Sequence, residues 1–233
     1  GTLLGINDDG TVDVFSAGSN TWSTGVPFVT ARRNFAADSD GSRVWLGGGY
    51  DTTGTGLLNT MERFTVPVAQ SAVSRKIHGG AGTFDIALPL TGNVGIEDRI
   101  TSGNHTIVVT FGNTVTVAGA SITSGTGTVG SLVVSGATVT VNLTGVTNAQ
   151  RLTVTLLNVN DGTTTGDVSI PMGVLAGDVN GNGATNAADV AITKSQVLQI
   201  VMAANFREDV NVNGPINAAD VGAVKANTAT SLP

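Results

Sequence analysis

Cysteine is missing from all 233 residues, which excludes disulfide staples, thiolate metal sites and cysteine nucleophiles but leaves secretion open, because export does not require a disulfide. Aromatic residues are scarce, 4% against 40% hydrophobic overall. Any interior must therefore be built from Val, Ile, Leu and Ala on short strands punctuated by glycine. Charge is sparse as well: 12% of residues are charged, the net charge is -6, and no Lys/Arg run occurs. That removes the electrostatic basis for binding nucleic acid or an anionic membrane. No stretch approaches the roughly 18 consecutive apolar residues of a membrane helix. His78 and His105 are the only histidines and have no Cys, Asp or Glu at zinc-ligand spacing, so they read as turn or surface residues. The adjacent acids Asp8-Asp9 and Glu97-Asp98 cannot act as catalytic pairs, since neighbours on a strand point to opposite faces, and solvation is their expected state. There is no Gly-x-Ser-x-Gly elbow, no phosphate-cradling loop with Lys and no Ser/His/Asp set. No catalytic site is expected in the chain.

What is present divides into three textures, so the expectation is a mainly β, multi-domain chain. Gly1 is preceded by neither Met nor a charged-then-apolar leader, and the chain reads as part of a longer protein. Residues 1–69 carry Asn20-Thr-Trp22, Arg32, Arg33, the triple glycine Gly47 to Gly49, Tyr50 and Asn59-Thr-Met-Glu-Arg-Phe64. Residues 70–176 alternate β-branched with small polar residues, as in 105–111, 114–117, 137–143 and 151–157. A period of two marks half-buried strands. The turn clusters at 102–104, 123–128 and 160–162 fall at the spacing of an antiparallel immunoglobulin-like β-sandwich of about seven or eight strands. No aromatic platform for stacking on sugars is visible there, and a spacer role follows.

Residues 177–233 hold two copies of one unit. The first is Asp178-Val-Asn180-Gly-Asn182-Gly183-Ala184-Thr-Asn186-Ala-Ala-Asp189; the second, beginning 31 residues later, is Asp209-Val-Asn211-Val-Asn213-Gly214-Pro215-Ile-Asn217-Ala-Ala-Asp220. Calcium takes six to eight oxygens, and a twelve-residue loop supplies them from positions 1, 3, 5, 7 (a main-chain carbonyl), 9 and 12, with glycine at 6 for the sharp turn. The spacing assigns Asp178, Asn180, Asn182, the Ala184 carbonyl, Asn186 and Asp189 to one ion. Asp209, Asn211, Asn213, the Pro215 carbonyl, Asn217 and Asp220 fall to a second. The alternative, that Asn186-x-x-Asp189 and Asn217-x-x-Asp220 are only helix caps, leaves the oxygen donors at positions 1, 3 and 5 unexplained. With two carboxylates per loop, calcium affinity below that of cytosolic sensors is expected. Ser169 to Gly177 holds a proline and two glycines and reads as extended, so each loop has only its exiting helix.

A duplicated loop-helix unit with Asp at position 12 resembles the dockerin family, an F-hand variant of the EF-hand pair. That resemblance implies calcium-dependent docking to a cohesin-like module. By position the contacts would be Ala187, Ala188 and Lys194 in one copy and Ala218, Ala219 and Lys225 in the other. Double alanine where the family often has hydroxyl residues implies a more apolar contact. The landmarks of residues 1–69 resemble a Kelch repeat, about one repeat plus the tail of another, which implies a propeller blade fragment; a generic β-meander is the alternative. Together these readings imply the C-terminal part of a secreted or cell-surface bacterial protein that docks through calcium, with carbohydrate or cell surface as a further partner through a propeller. The alternative is the end of an extracellular carbohydrate-active enzyme or Kelch-type oxidase whose active site lies upstream of residue 1.

Overall fold

The computed structural model describes residues 2–7, 9–16, 21–24, 28–39, 43–65 and 67–233. The N-terminal part contains two antiparallel three-stranded meanders, β1 (Thr2–Ile6), β2 (Val12–Ser16), β3 (Thr21–Thr24) and β4 (Ala36–Ser39), β5 (Arg43–Gly47), β6 (Met61–Thr65). The Kelch-like blade fragment, one repeat plus the tail of another, finds no support among the described residues, which form these two three-stranded meanders. Asn20 of the Asn-x-Trp landmark and Asp8 lie outside them, and Asp9 is exposed. The meanders share a small core of Val12, Phe28 and Leu46, with Phe35 and Val44 against it. The triple glycine has a local cause: the backbone of Arg33 and Tyr50 exchange hydrogen bonds of 3.0 and 2.9 Å, and a Cβ on Gly49, at φ +91°, would lie 2.6 Å from the Arg33 carbonyl oxygen.

Arg32 is the polar anchor of this part. It is fully buried and donates to the Gly48 and Thr60 carbonyls and to Glu62 Oε1 at 2.5 Å. Glu62 also accepts from the backbone N–H groups of Val29 and Thr30 at 2.7 and 3.0 Å, which ties residues 28–32 to β6. Removing one partner of a buried pair strands the other charge, so Arg32→Met is expected to destabilise this part by about 3 kcal/mol. Denaturant unfolding followed by the fluorescence of Trp45, which sits beneath Arg63, measures the loss.

Residues 69–174 fold into two sheets packed face to face. One has the order β12 (Thr128–Ser135), β13 (Thr138–Thr144), β10 (His105–Phe111), β7 (Ala69–Ile77), β8 (Thr83–Ala87); the other has the order β11 (Gly119–Ser124), β14 (Gln150–Asn160), β15 (Thr165–Val174), β9 (Ile96–Glu97). The total is nine strands, more than the seven or eight the spacing suggested. The extended run at 114–117 is not one of them: only Thr116 bridges, to Asn160, while Val115 fills the core. The core follows the alternation, with Ile107, Val109 and Phe111 facing Val139, Val141 and Leu143 on one sheet, and Leu152, Val154 and Leu156 beside Ile170 and Met172 on the other. An irregularity between Leu156 and Val159, with Asn158 at φ +48°, shifts the parity so that Val159 also points inward.

The C-terminal part contains α1 (Ala187–Ser195), α2 (Ala218–Ala226) and the short pair β16 (Ala184–Thr185) and β17 (Thr230–Ser231). Among the described residues no α-helix leads directly into either loop, although loop 2 is entered through a single 3-10 turn, Phe206–Glu208. Ser169 to Val174 is the extended end of β15, whereas Ala176 and Gly177 form a turn closed by Asp178 N donating to Leu175 O at 3.2 Å, with Gly177 at φ +80°. The boundary at residue 176 is not a free linker, because Leu175 N and Gly177 N donate to the Glu97 and Asp98 carbonyls at 2.9 Å and Ile100 N donates to Val210 O. Ile100 also packs into the cluster of Val179, Val210 and Val224. No helix among the described residues is long and apolar enough to cross a membrane.

Candidate metal centre

The two twelve-residue loops have nearly the same internal geometry. In loop 1 the Asp178 carboxylate accepts from Asn182 N at 3.1 Å and Gly183 N at 2.8 Å, and in loop 2 Asp209 accepts from Asn213 N at 3.1 Å and Gly214 N at 2.9 Å. Asn180 and Asn211 each accept from the N–H two residues on, at 3.0 Å. At position 12, Asp189 takes the N–H of Asn180 at 3.3 Å and of Asn186 at 2.9 Å; Asp220 takes those of Asn211 at 3.2 Å and Asn217 at 2.9 Å. Position 6 needs glycine in both, since Gly183 and Gly214 sit at φ +90° and +107°.

The helix caps are formed in both loops. Asn186 and Asn217 cap α1 and α2, accepting from Ala188 N and Ala219 N at 2.8 and 2.7 Å, with Asp189 and Asp220 closing the capping boxes. Capping accounts for positions 9 and 12 but not for the burial of the acids. Asp178, Asp189, Asp209 and Asp220 are all fully buried, two to a loop. Burial pushes the Asp178 and Asp220 carboxyls up, and the facing acid in each loop, Asp189 and Asp209, pushes the same way. Two buried like charges in one small loop are stable as anions when a cation sits between them. The donors are carboxylate, amide and carbonyl oxygens, with no sulfur or imidazole among the assigned ligands, which is the chemistry of a hard cation such as calcium. Ala184 and Pro215 contribute carbonyls that accept from the side-chain amides of Asn186 and Asn217, at 3.1 and 3.2 Å. The residues assigned to partner contact, Ala187, Ala188 and Lys194 with Ala218, Ala219 and Lys225, are all exposed at the starts and last turns of the two helices.

The expectation of surface histidines and solvated acids is corrected. His78, His105, Glu97 and Asp98 are all buried. The inward face of β7 runs Ala72, Ser74, Lys76 and on to His78, so the side of the strand that enters the apolar core at one end becomes a buried polar layer at the other. Glu97 forks with Arg99 through Nε and Nη2, both at 2.8 Å, and accepts from Arg99 N and from the Ser74 hydroxyl. Burial alone would raise the Glu97 carboxyl; the hydrogen bonds and charge of Arg99, with Lys76 and Ser74, outweigh it and hold it at about 2. Asp98 points the other way: Oδ1 lies 2.9 Å from Arg207 Nη2 without hydrogen-bond alignment, and burial pushes this carboxyl up against the pull of Arg207. Arg207 in turn donates to the Asp178 and Val179 carbonyls at the start of loop 1, at 2.9 and 2.8 Å. At the start of loop 2, His78 Nδ1 lies 2.9 Å from Asp209 Oδ2. The signal that could have revealed this layer is Lys76, a charged residue in the same register as the core residue Ala72.

Burial, with the Lys76 charge beside it, pushes the His105 imidazole down to about 4, and its Nδ1 has no hydrogen-bond partner. The folded ring stays neutral where the unfolded one, near 6.5, takes up a proton. Its contribution to stability is therefore fully present above pH 6.5 and is lost as pH falls toward 4. Between pH 7 and pH 5 the wild type should lose about 2 kcal/mol more than His105→Leu, at roughly 1.4 kcal/mol per pH unit. Denaturant unfolding at the two pH values checks the difference.

Against curated proteins the chain finds no match. Residues 176–227, which hold both loops and both helices, match the family model of the dockerin type I domain, a calcium-dependent cohesin-binding module.

Proposed function

We propose that this chain acts by attachment rather than catalysis: residues 177–233 bind two calcium ions, one in each loop, and the organised module grips a cohesin-like partner. The observation that carries this reading is the pair of matching oxygen cradles, each built around two fully buried carboxylates, Asp178 with Asp189 and Asp209 with Asp220. Calcium supplies the positive charge that lets those carboxylates remain ionised in the interior. The chain's own part is to hold the loops open by backbone N–H donation to the same acids and to start a helix from each loop. The partner face consists of Ala187, Ala188 and Lys194, with Ala218, Ala219 and Lys225 as its duplicate. Their exposure, away from the contacts made with the sheets, supports the assignment. An immunoglobulin-like sandwich carrying the module, on a secreted or cell-surface protein, completes the reading, and the module family is typical of such proteins.

Calorimetric titration of the full chain with calcium should show two equivalents, falling to one in Asp178→Ala and in Asp209→Ala. Calcium at a hundredfold over the dissociation constant should stabilise the loops by about 2.7 kcal/mol per site, read as a melting temperature that drops when a chelator is added. No uptake at millimolar calcium would overturn the proposal.

For the partner, a purified cohesin module should be captured by the immobilised full chain in calcium and released by chelator. Combining Ala188→Arg with Ala219→Arg should weaken capture at least tenfold while both calcium equivalents are retained. Capture that survives chelation, or ignores both substitutions, would place the contact elsewhere.

A further inference from the structure

The two loops match in sequence and internal geometry but not in what surrounds them, and the difference lies at position 1. Among the described residues the Asp178 carboxylate receives backbone N–H groups only, from Asn182 and Gly183. Asp209 receives the same two kinds of bond and in addition a side chain from the sandwich, His78, with both partners fully buried.

The proton on that histidine is fixed by its other neighbour. Arg99 commits all five of its guanidinium N–H groups: Nε and one Nη2 hydrogen to Glu97, the other Nη2 hydrogen to the Ser74 carbonyl at 2.9 Å, one Nη1 hydrogen to the Phe84 carbonyl at 2.9 Å and the last toward His78 Nε2 at 3.1 Å. A guanidinium has donors only. His78 Nε2 is therefore the acceptor, Nδ1 carries the hydrogen, and that hydrogen is donated to Asp209 Oδ2. The ring is also held edge-on against Phe84 and against Phe206, at 5.2 and 5.9 Å between centroids. Its turn is pressed onto the loop: a Cβ on Gly79, at φ +48°, would lie 2.3 Å from the Asn213 carbonyl oxygen.

We infer that His78 is a positioning residue for loop 2, so that the sandwich is part of the second calcium site and the first site lacks this support. The inference rests on the calcium reading above. Outer partners of this kind fix the orientation of a ligand, and losing one typically weakens metal binding about 10- to 100-fold.

The test uses the full chain with one loop disabled at a time, Asp189→Ala leaving loop 2 and Asp220→Ala leaving loop 1, and titrates calcium by calorimetry. His78→Phe keeps the aromatic packing and removes the donor; His78→Asn keeps a donor near the Nδ1 position. His78→Phe should weaken loop 2 by about 10- to 100-fold and leave loop 1 within about twofold, and His78→Asn should recover most of the loss. Nitrogen-15 spectra of the wild type should show His78 as the Nδ1–H tautomer. Equal weakening of both loops, no weakening of either, failure of His78→Asn to recover binding, or an Nε2–H tautomer would each overturn the assignment. If His78→Phe does not fold, the wild-type tautomer decides. Absence of calcium uptake by the unsubstituted chain would instead overturn the calcium reading itself.

Discussion

Arg99 is buried among Glu97, Ser74, Phe84 and His78, with its guanidinium plane over the Phe206 ring at 5.4 Å. A cation in that position must have every N–H satisfied, because an unpaired buried donor on a charged group costs several kcal/mol. Its partners come from five pieces of chain: Ser74 on β7, His78 in the β7–β8 turn, Phe84 on β8, Glu97 on the two-residue strand β9 and Phe206 in the segment leading into loop 2. Satisfying one guanidinium therefore fixes the relative placement of one end of the sandwich and the start of the second loop. Replacing the group with packed hydrocarbon could be as stable, but it would not specify the same mutual orientation.

The two C-terminal helices show why that orientation matters. Each is nine residues long, below the length at which an isolated helix persists in water. Their caps and the shared cluster of Val179, Val210 and Val224 compensate only in part, since that cluster is small and takes Ile100 from the sandwich. The C-terminus is tied back as well: Arg151 donates to the Pro233 carbonyl, and Asn148 bonds Asn227. The module is thus completed by residues far away in the chain, which add burial that so small a core lacks by itself.

The loops were legible because their chemistry is local. Oxygen-bearing residues at fixed offsets with glycine at position 6 are a property of twelve consecutive residues, so sequence alone could place two matching loops; the strand end at Ser169 to Val174 was legible too, but the turn at Ala176 and Gly177 was not. The sandwich was legible through the alternation of β10, β13 and β14, but β9 was not, because two residues carry no periodicity and its partner, β15, is parallel and distant. The polar layer was missed for the same reason. His78 and Asp98 meet residues 206–209 and Glu97 meets Ser74 and Arg99, and beyond Lys76 in the register of Ala72 no local pattern announces the layer. In residues 1–69 the landmarks reported real turns, as at Gly49, but turn chemistry does not count strands.

Because Gly177 bonds Asp98, Arg207 reaches Ile96, Asp98 and loop 1, and the tail residue Leu232 packs on Gly173, the junction between sheets and helices contains no tether. A chain joined by a flexible tether samples a cloud of positions that widens with the square root of its length. Here that cloud collapses to a single pose. Whatever grips the exposed ends of the helices inherits the heading of the nine-stranded body, and tension applied there is shared among several bonds in parallel instead of running through one peptide.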